Sequence, residues 1–463
     1  MDPIETLADI SLWSREEFGQ ASLGNSARVD RLVVMTAAVA HQPAGKVTEV
    51  FLGPAEREAA YRFLESDHVQ ESEVGMAAHV ACARRCEGET VVFVPVDGSS
   101  LSLADPQGHK NGFGPVGNRS KRGRGLEVMN AIAVRPDGTP LGLCGQAYWA
   151  RSEQRAKKGN RPFEEKETRF WFEAIRQTLE AFLLARSSCT PWFQLDRGGD
   201  FREMLAWGAQ TDGVYVTVRA AQDRRVSIEE KLYLWETVER QPVLGHCEVQ
   251  VTGRAGRAAR RARLEVRIAP VDIRLRDMWL NNEAAHLTAV QVREVGTTPA
   301  GEKPIEWMLL TNYPVKSFEQ ALLVVYGYAQ RWKVEEFHKT WKSVCKIEET
   351  QLAESSRVIK WAIILAAVAM RIERLKYLAR TDPQAPATVE LHQDEIDTLI
   401  VLRRPQGFEI GDVPPIGLAV RWLADLGGYT GKSSGGPPGS IVIARGLYSI
   451  ALAVQVYRTM RQK

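Results

Sequence analysis

The sequence is poor in the residues that bind soft metals or staple small folds. Its 463 residues include only 6 cysteines and 8 histidines. Cys82, Cys86, Cys144, Cys189, Cys247 and Cys345 are scattered. Cys82 and Cys86 have the spacing of one helix face, but no second Cys/His pair completes a zinc site. Reduced thiols in a cytoplasm are the expected state. Long apolar runs are missing too. The most apolar helical stretch, Trp361 to Met370, is bracketed by Lys360 and Arg371. A membrane span needs about 20 apolar residues, so this stretch reads as a buried helix. The first residues, Met1-Asp2-Pro3-Ile4-Glu5, lack the basic and then apolar run of a secretory signal. Charge of either sign is not in excess: 60 Lys+Arg stand against 57 Asp+Glu, a net +3. That balance excludes a strongly basic tail protein but leaves local basic patches open. Gly431-Lys432-Ser433 lacks the glycine that a phosphate loop needs five positions earlier, where Leu426 stands. Glu335-Glu336-Phe337-His338 has no second histidine for a zinc pair.

What is present is ordinary for a folded protein, with 44% hydrophobic and 25% charged residues. The length suggests about three domains. Residues 1–75 read as helical, with Asn25-Ser26 placed to cap a helix through Met35. From residue 90 the texture changes. Val91 to Val96 reads as a buried strand emptying into a turn at Asp97-Gly98-Ser99-Ser100. Leu126 to Val134 and Pro140 to Trp149 read as a hairpin around Pro136-Asp137-Gly138. Glu164 to Arg186 reads as an amphipathic helix, and Pro191 to Leu195 and Tyr215 to Arg219 as strands. Residues 229–315 are strand-rich again. Helix returns near Phe318, with Ser317 and Gln320 at capping-box spacing, and is expected to run on to Lys342. Ser355 to Ala379 is a second long helix. Further helices are expected at Gln393 to Leu402 and Ile416 to Leu426. The plan is mixed α/β.

Asp97 and Asp196 both follow an apolar strand, the edge where sites form in open α/β sheets. Taken singly, each also suits a turn or a cap. Tyr328, Arg331, Glu335 and Lys342 are offset by 0, 3, 7 and 14 residues. On one helix, at about 100° per residue, they fall within roughly 60° of each other. A solvated face with an Arg331–Glu335 pair is the plain alternative. Trp332, Val334, Phe337 and Trp341 would cover the rest of the helix. Three carboxylates from distant segments suit a hard divalent cation. Two such ions serve phosphodiester displacement, and the neighbouring Tyr, Arg and Lys suit a phosphate backbone.

These residues make the sequence recognisable. It resembles the insertion-sequence-four family of bacterial DDE transposases. The family signature, Tyr-x-x-Arg-x-x-x-Glu-x-x-x-x-x-x-Lys, stands here as Tyr328, Arg331, Glu335 and Lys342. Asp97, in Val96-Asp97-Gly98-Ser99-Ser100, looks like the first catalytic aspartate. Asp196, in Leu195-Asp196-Arg197-Gly198-Gly199-Asp200, looks like the second. The resemblance spans nearly the whole chain and includes Ala21-Ser22-Leu23-Gly24, Ala60-Tyr61-Arg62-Phe63 and Trp307-Met308-Leu309-Leu310-Thr311.

The resemblance implies a ribonuclease-H-like mixed-sheet core with a β-rich insertion. It implies a helical DNA-binding domain at 1–75, core segments at 76–228 and 316–380, the insertion at 229–315, and a helical dimerisation region at 381–463. Asp97, Asp196 and Glu335 would hold two Mg²⁺ ions, or Mn²⁺. The expected activity is cut-and-paste transposition: nicking at the transposon ends, a hairpin intermediate, and joining of 3′-hydroxyls to target DNA. Tyr328, Arg331 and Lys342 would grip phosphates. Trp307 matches the position that accommodates an extruded base, although it also reads as a strand-core tryptophan. Arg219 looks like a DNA-contacting arginine, and Arg28, Arg31 and Arg62 match basic positions of the end-binding domain. His41 stands near a lysine of the family prototype, so a different end sequence is expected. The partners would be double-stranded DNA, as ends and target, and a second copy of the chain in a synaptic homodimer, with no membrane. The expected location is the bacterial cytoplasm, at the nucleoid. Two basic runs, Arg119 to Arg124 and Arg254 to Arg263, support a DNA partner. A catalytically inactive DNA-binding derivative is the alternative function. A carboxylate-pair glycoside hydrolase leaves the Tyr, Arg and Lys positions unexplained.

Overall fold

The computed structural model describes residues 12–105, 108–117, 123–152, 162–227, 231–251, 259–276, 282–432 and 436–461. Five helices open the chain: α1 (Leu12–Phe18), α2 (Ser26–His41), α3 (Val47–Val50), α4 (Pro54–Glu65) and α5 (Glu71–Arg85). The Asn25 side chain caps α2 by accepting from the Arg28 amide at 2.9 Å. Pro54 opens α4, where its missing N–H costs nothing. Strands β1 (Val91–Leu103), β2 (Gly114–Val116), β3 (Gly123–Val134) and β4 (Pro140–Trp149) follow. The β3–β4 turn closes as expected: the Gly138 amide donates to the Arg135 carbonyl at 2.8 Å. Gly138 takes φ 90°, which a residue with a side chain rarely adopts. Next come α6 (Arg169–Ala185), β5 (Thr190–Leu195), α7 (Arg202–Gln210), β6 (Tyr215–Arg219) and α8 (Leu234–Glu239). A run of strands, β7 (Gly245–Val251), β8 (Arg260–Arg276), β9 (Asn282–Glu294) and β10 (Glu306–Thr311), leads to the helices α9 (Phe318–Ala329), α10 (Trp332–Ser343), α11 (Ser355–Thr381), α12 (Gln393–Arg403), α13 (Ile416–Leu426) and α14 (Ser440–Arg461).

The chain forms two compact units. One comprises Met1–Glu89, Gly98–Cys189 and Lys333–Lys463; the other comprises Thr90–Asp97 and Thr190–Trp332. In the second unit the sheet runs β1-β5-β6-β10-β9-β8-β7. β1 lies parallel to β5 from Val91↔Thr190 to Val96↔Leu195, and β5 lies parallel to β6. β10 turns the sheet antiparallel by pairing with both β6 and β9. Val92, Phe93, Val94, Val96, Trp192, Phe193 and Leu195 are wholly buried. Such continuous apolar runs belong to strands covered on both faces. The β-rich segment expected at 229–315 is therefore a continuation of this sheet, joined through β10. β9 was not anticipated; its apolar residues are diluted by Asn282, Glu283, His286, Thr288 and Gln291.

In the first unit β3 and β4 form an antiparallel hairpin, β2 pairs with the start of β3, and the later part of β1 borders β3. α5, α6 and α11 pack on β4. α11 is the centre of this unit. From Trp361 to Met370 every residue is buried, against α2, α4, α5, α13 and α14 as well as β4. The Trp361 indole donates to the Gly45 carbonyl at 2.8 Å. Its apolarity is thus spent within the chain and gives no support for a dimer face.

Two further expectations change. β1 does not end in a turn at Asp97 but continues extended to Leu103; what ends there is its pairing with β5. The expected single helix from Phe318 to Lys342 is two helices, α9 and α10, with Gln330 and Arg331 between them. The Gln330 amide is shared between the Tyr326 and Gly327 carbonyls, a tightened last turn that re-aims the chain. The mixed α/β sheet is consistent with a ribonuclease-H-like core. Among the described residues no helix is long and apolar enough to cross a membrane.

Candidate active site

Most of the expected site residues gather in the second unit. The parallel register ends at Val96↔Leu195, so Asp97 and Asp196 occupy the next position on neighbouring strands. Strand spacing puts their backbones about 5 Å apart. Asp196 also caps a short 3₁₀ turn, Arg197–Gly199, accepting from the Gly198 amide at 2.7 Å. Asp97 accepts from the Arg331 guanidinium at 3.1 Å. Its side chain keeps 20% exposure and that of Arg331 keeps 14%.

Tyr328 and Trp307 close the group. Their rings meet edge to face at 5.2 Å between centroids. Trp307 lies on β10 two residues from Leu309, which pairs with Arg219 on β6. Arg219 also donates to the Glu306 carbonyl at 2.9 Å. Burial raises the Tyr328 hydroxyl above its usual pKa, and Arg219 and Arg331 partly offset this. Trp307 is half-buried. The neighbouring Asp200 is a different kind of residue. It is buried and accepts from the Ala221 and Gln222 amides and from Arg224, which fixes the loop after β6.

Glu335 and Lys342 lie on α10 in the first unit. Val334, Phe337 and Trp341 are wholly buried on that helix, and Phe337 stacks on Trp341 at 5.6 Å. His338 pairs with Asn130 of β3 at 2.9 Å. Trp332, expected to cover the helix surface, is instead 57% exposed. The four signature residues therefore do not share one helix stripe: Tyr328 belongs to α9, Arg331 to the break, and Glu335 and Lys342 to α10.

Lys342 donates to the Ser100 carbonyl at 2.6 Å and pairs with Glu348 at 3.6 Å. It lines a cleft of about 610 Å³ with Ser99, Ser100, Glu127, Trp149 and Arg151. Sequence reasoning missed Glu127, Arg151 and Glu348, whose partners are distant in sequence and leave no periodic signal.

Arg28 and Arg31 stand on α2 and Arg62 on α4, two helices that pack together. Arg31 and Arg62 are exposed, and Arg62 pairs with Glu58. Arg28 donates to the Leu23 carbonyl at 2.8 Å, so part of its guanidinium serves the fold. Of the two basic runs, Arg119, Lys121, Arg122, Arg254 and Arg257 lie outside the described residues. Arg124 is tied to Asp105, and Arg260 to Glu294 and Glu302. Arg261 and Arg263 are exposed.

Residues 133–371 match the transposase DDE domain, and residues 10–69 match a transposase DNA-binding domain. The chain belongs to the DDE transposases. DNA is thus the partner of this transposase, and α2 and α4 lie in its DNA-binding domain. The DDE match includes Asp196, Arg219, Trp307, Tyr328, Arg331, Glu335 and Lys342; Asp97 precedes it.

The donor set of the transposase suits a hard divalent ion. Asp97 and Asp196 bring carboxylates to adjacent positions just past the paired strands, with partial exposure at Asp97. Among the described residues no three His, Cys, Asp or Glu side chains form a metal-holding group. Mg²⁺ accepts one or two carboxylates and fills its octahedron with water and substrate phosphate oxygens.

Proposed function

We propose that this protein is a cut-and-paste transposase of the insertion-sequence-four group, similar to the transposon-five transposase. The observation that carries the reading is the grouping of Asp97 and Asp196 where the parallel pairing of β1 and β5 stops, with Arg331, Tyr328, Arg219 and Trp307 around them. Glu335 completes the carboxylate set on the strength of the signature sequence. Asp97, Asp196 and Glu335 would hold two Mg²⁺ or Mn²⁺ ions, which would supply an activated water or hydroxyl and stabilise the leaving oxygen.

The chain's own residues do the rest. Arg28, Arg31 and Arg62 hold the transposon end, and their charge makes that grip salt-dependent. Arg331 bridges a phosphate and Asp97, since a guanidinium carries more donors than one carboxylate uses. Arg219 and Lys342 meet further phosphates. Tyr328 donates its hydroxyl, whose pKa burial raises. Trp307, open on one side, takes an unstacked base while the strand bends into a hairpin, an exchange in which stacking offsets the cost of extrusion. Joining of 3′-hydroxyls to target DNA reuses the same groups, because each step is an in-line displacement at phosphorus. Two copies act together at paired ends, in a bacterial cytoplasm at the nucleoid.

The test uses DNA carrying the element's own terminal repeats with Mg²⁺. The wild-type protein excises and yields hairpins. Glu335→Gln binds the ends and does not cut. Cutting by that variant at the wild-type rate removes Glu335 from the site.

A further inference from the structure

The segment after Asp97 is held by a chain of polar contacts that lies within the first unit and, Lys342 apart, outside the family signature. The Ser100 hydroxyl donates to Glu127 at 2.8 Å. Arg151 pairs with Glu127 at 2.6 Å and grips Glu167 in a two-pronged contact at 2.8 and 2.7 Å. The Ser100 carbonyl accepts from Lys342 at 2.6 Å. Lys342 pairs with Glu348, and Glu348 accepts from the Ser102 amide at 2.8 Å. The Glu127 side chain is 6% exposed and that of Arg151 21%. Ser100 is therefore fixed on both sides, its hydroxyl by the Arg151–Glu127 pair and its carbonyl by Lys342.

We propose that Arg151 is a positioning residue that acts through Glu127 and Ser100 on the ammonium of Lys342. Two carboxylates saturate the Arg151 guanidinium, so its charge is committed to the clamp and not to phosphate. Lys342 has three donors. The Ser100 carbonyl takes one of them at 2.6 Å, and the Glu348 carboxylate draws the ammonium from 3.6 Å, which sets the direction left to the other two. A point charge on a four-carbon stem needs such direction, since its rotamer freedom otherwise dilutes one phosphate contact over many conformers. Glu127 takes part as an acceptor: burial raises its carboxyl above the usual value, opposed by Ser100 and Arg151. The contribution of Lys342 to phosphate contact rests on the function proposed above; the clamp itself does not.

Two readouts separate these. The first is the reductive methylation rate of Lys342 in the DNA-free full-length protein, followed by mass spectrometry. Arg151→Met and Ser100→Ala should each raise it several-fold, while Arg151→Lys should restore part of the protection. An unchanged rate in Arg151→Met and Ser100→Ala overturns the clamp. The second is end cleavage. Arg151→Met should cut roughly tenfold more slowly, the scale of losing an outer support, with end binding intact. In a Lys342→Ala background it should add nothing further, because coupled residues are not additive. Multiplying effects overturn action through Lys342. Faster methylation together with wild-type cleavage by Lys342→Ala upholds the clamp and overturns the phosphate role. Ser100→Ala removes one oxygen and keeps the test open if Arg151→Met fails to fold.

Discussion

Two carboxylate–guanidinium groups in this molecule look alike in a contact list and differ in what surrounds them. In the first unit Arg371 and Arg374 are paired with Glu390 and Glu395. Arg374 grips Glu390 with two donors and also reaches the Leu141 carbonyl at 3.0 Å. Arg371 meets Glu395 at 3.0 Å, and all four side chains are under 10% exposed. In the second unit Asp97 meets Arg331 at 3.1 Å and keeps 20% exposure. The first group is sealed and ties α11 to α12 and to the hairpin. The second keeps partial access to solvent. Charge pairing alone marks neither function nor stability; access decides which of the two a pair serves.

The comparison can be broken from either side. Asp196→Asn should lower cleavage by about 10⁴-fold, the scale of removing one member of a catalytic set, with melting temperature and end binding unchanged. A folded, active Asp196→Asn protein would remove Asp196 from the chemistry. Glu390→Ala should do the reverse. Leaving Arg371 and Arg374 buried without it costs about 3 to 5 kcal/mol, read as a lower denaturation midpoint, while cleavage per folded molecule holds. Acid sharpens the contrast. Burial pushes the Glu395 carboxyl up, but Arg371, His41 and the His392 amide more than offset this, so its pKa lies below the ordinary glutamate value. A depressed carboxyl contributes stability that is present above about 4.5 and is lost as pH falls through its folded value. Acid titration of wild type should thus show a loss of melting temperature that Glu395→Gln largely lacks. Trp307→Ala should keep nicking and reduce hairpin yield; normal yield would take the base-holding role from it. The smallest stability change belongs to Arg62→Ala. Its exposed pair with Glu58 is worth under about 1 kcal/mol. End affinity should nevertheless fall and the salt slope flatten by about one unit.

Much of the fold was legible because it is written in local pattern. The apolar run Val91 to Val96, the hairpin around Gly138 and the helix Ile416 to Leu426 each carry their own period or turn residue. The break at Gln330 and Arg331 carries none: neither is Gly or Pro, and the α-period runs through it unbroken. The signature residues stood out in the sequence as a set, but the single helix expected to carry them is two, since spacing reports helix phase and not continuity. Asp97 was visible as a strand-end carboxylate although β1 runs on. The contact with Arg331 at a separation of 234 residues was not visible, nor were those of Arg151 with Glu127 and Glu167, because nothing in a one-dimensional pattern records them.

β1 has one more consequence, which concerns synthesis. Val91 pairs with Thr190, about a hundred residues further along the chain. At 5–20 residues per second the ribosome needs about 5 to 20 s to supply the partner strand. During that interval the Val-Val-Phe-Val-Pro-Val stretch emerges with its β5 edge unmet, whereas each strand from β7 to β10 finds a neighbour soon after it is made. Pro95 lies within that edge and lacks an amide to offer a stray strand, which blunts wrong pairing while the chain waits.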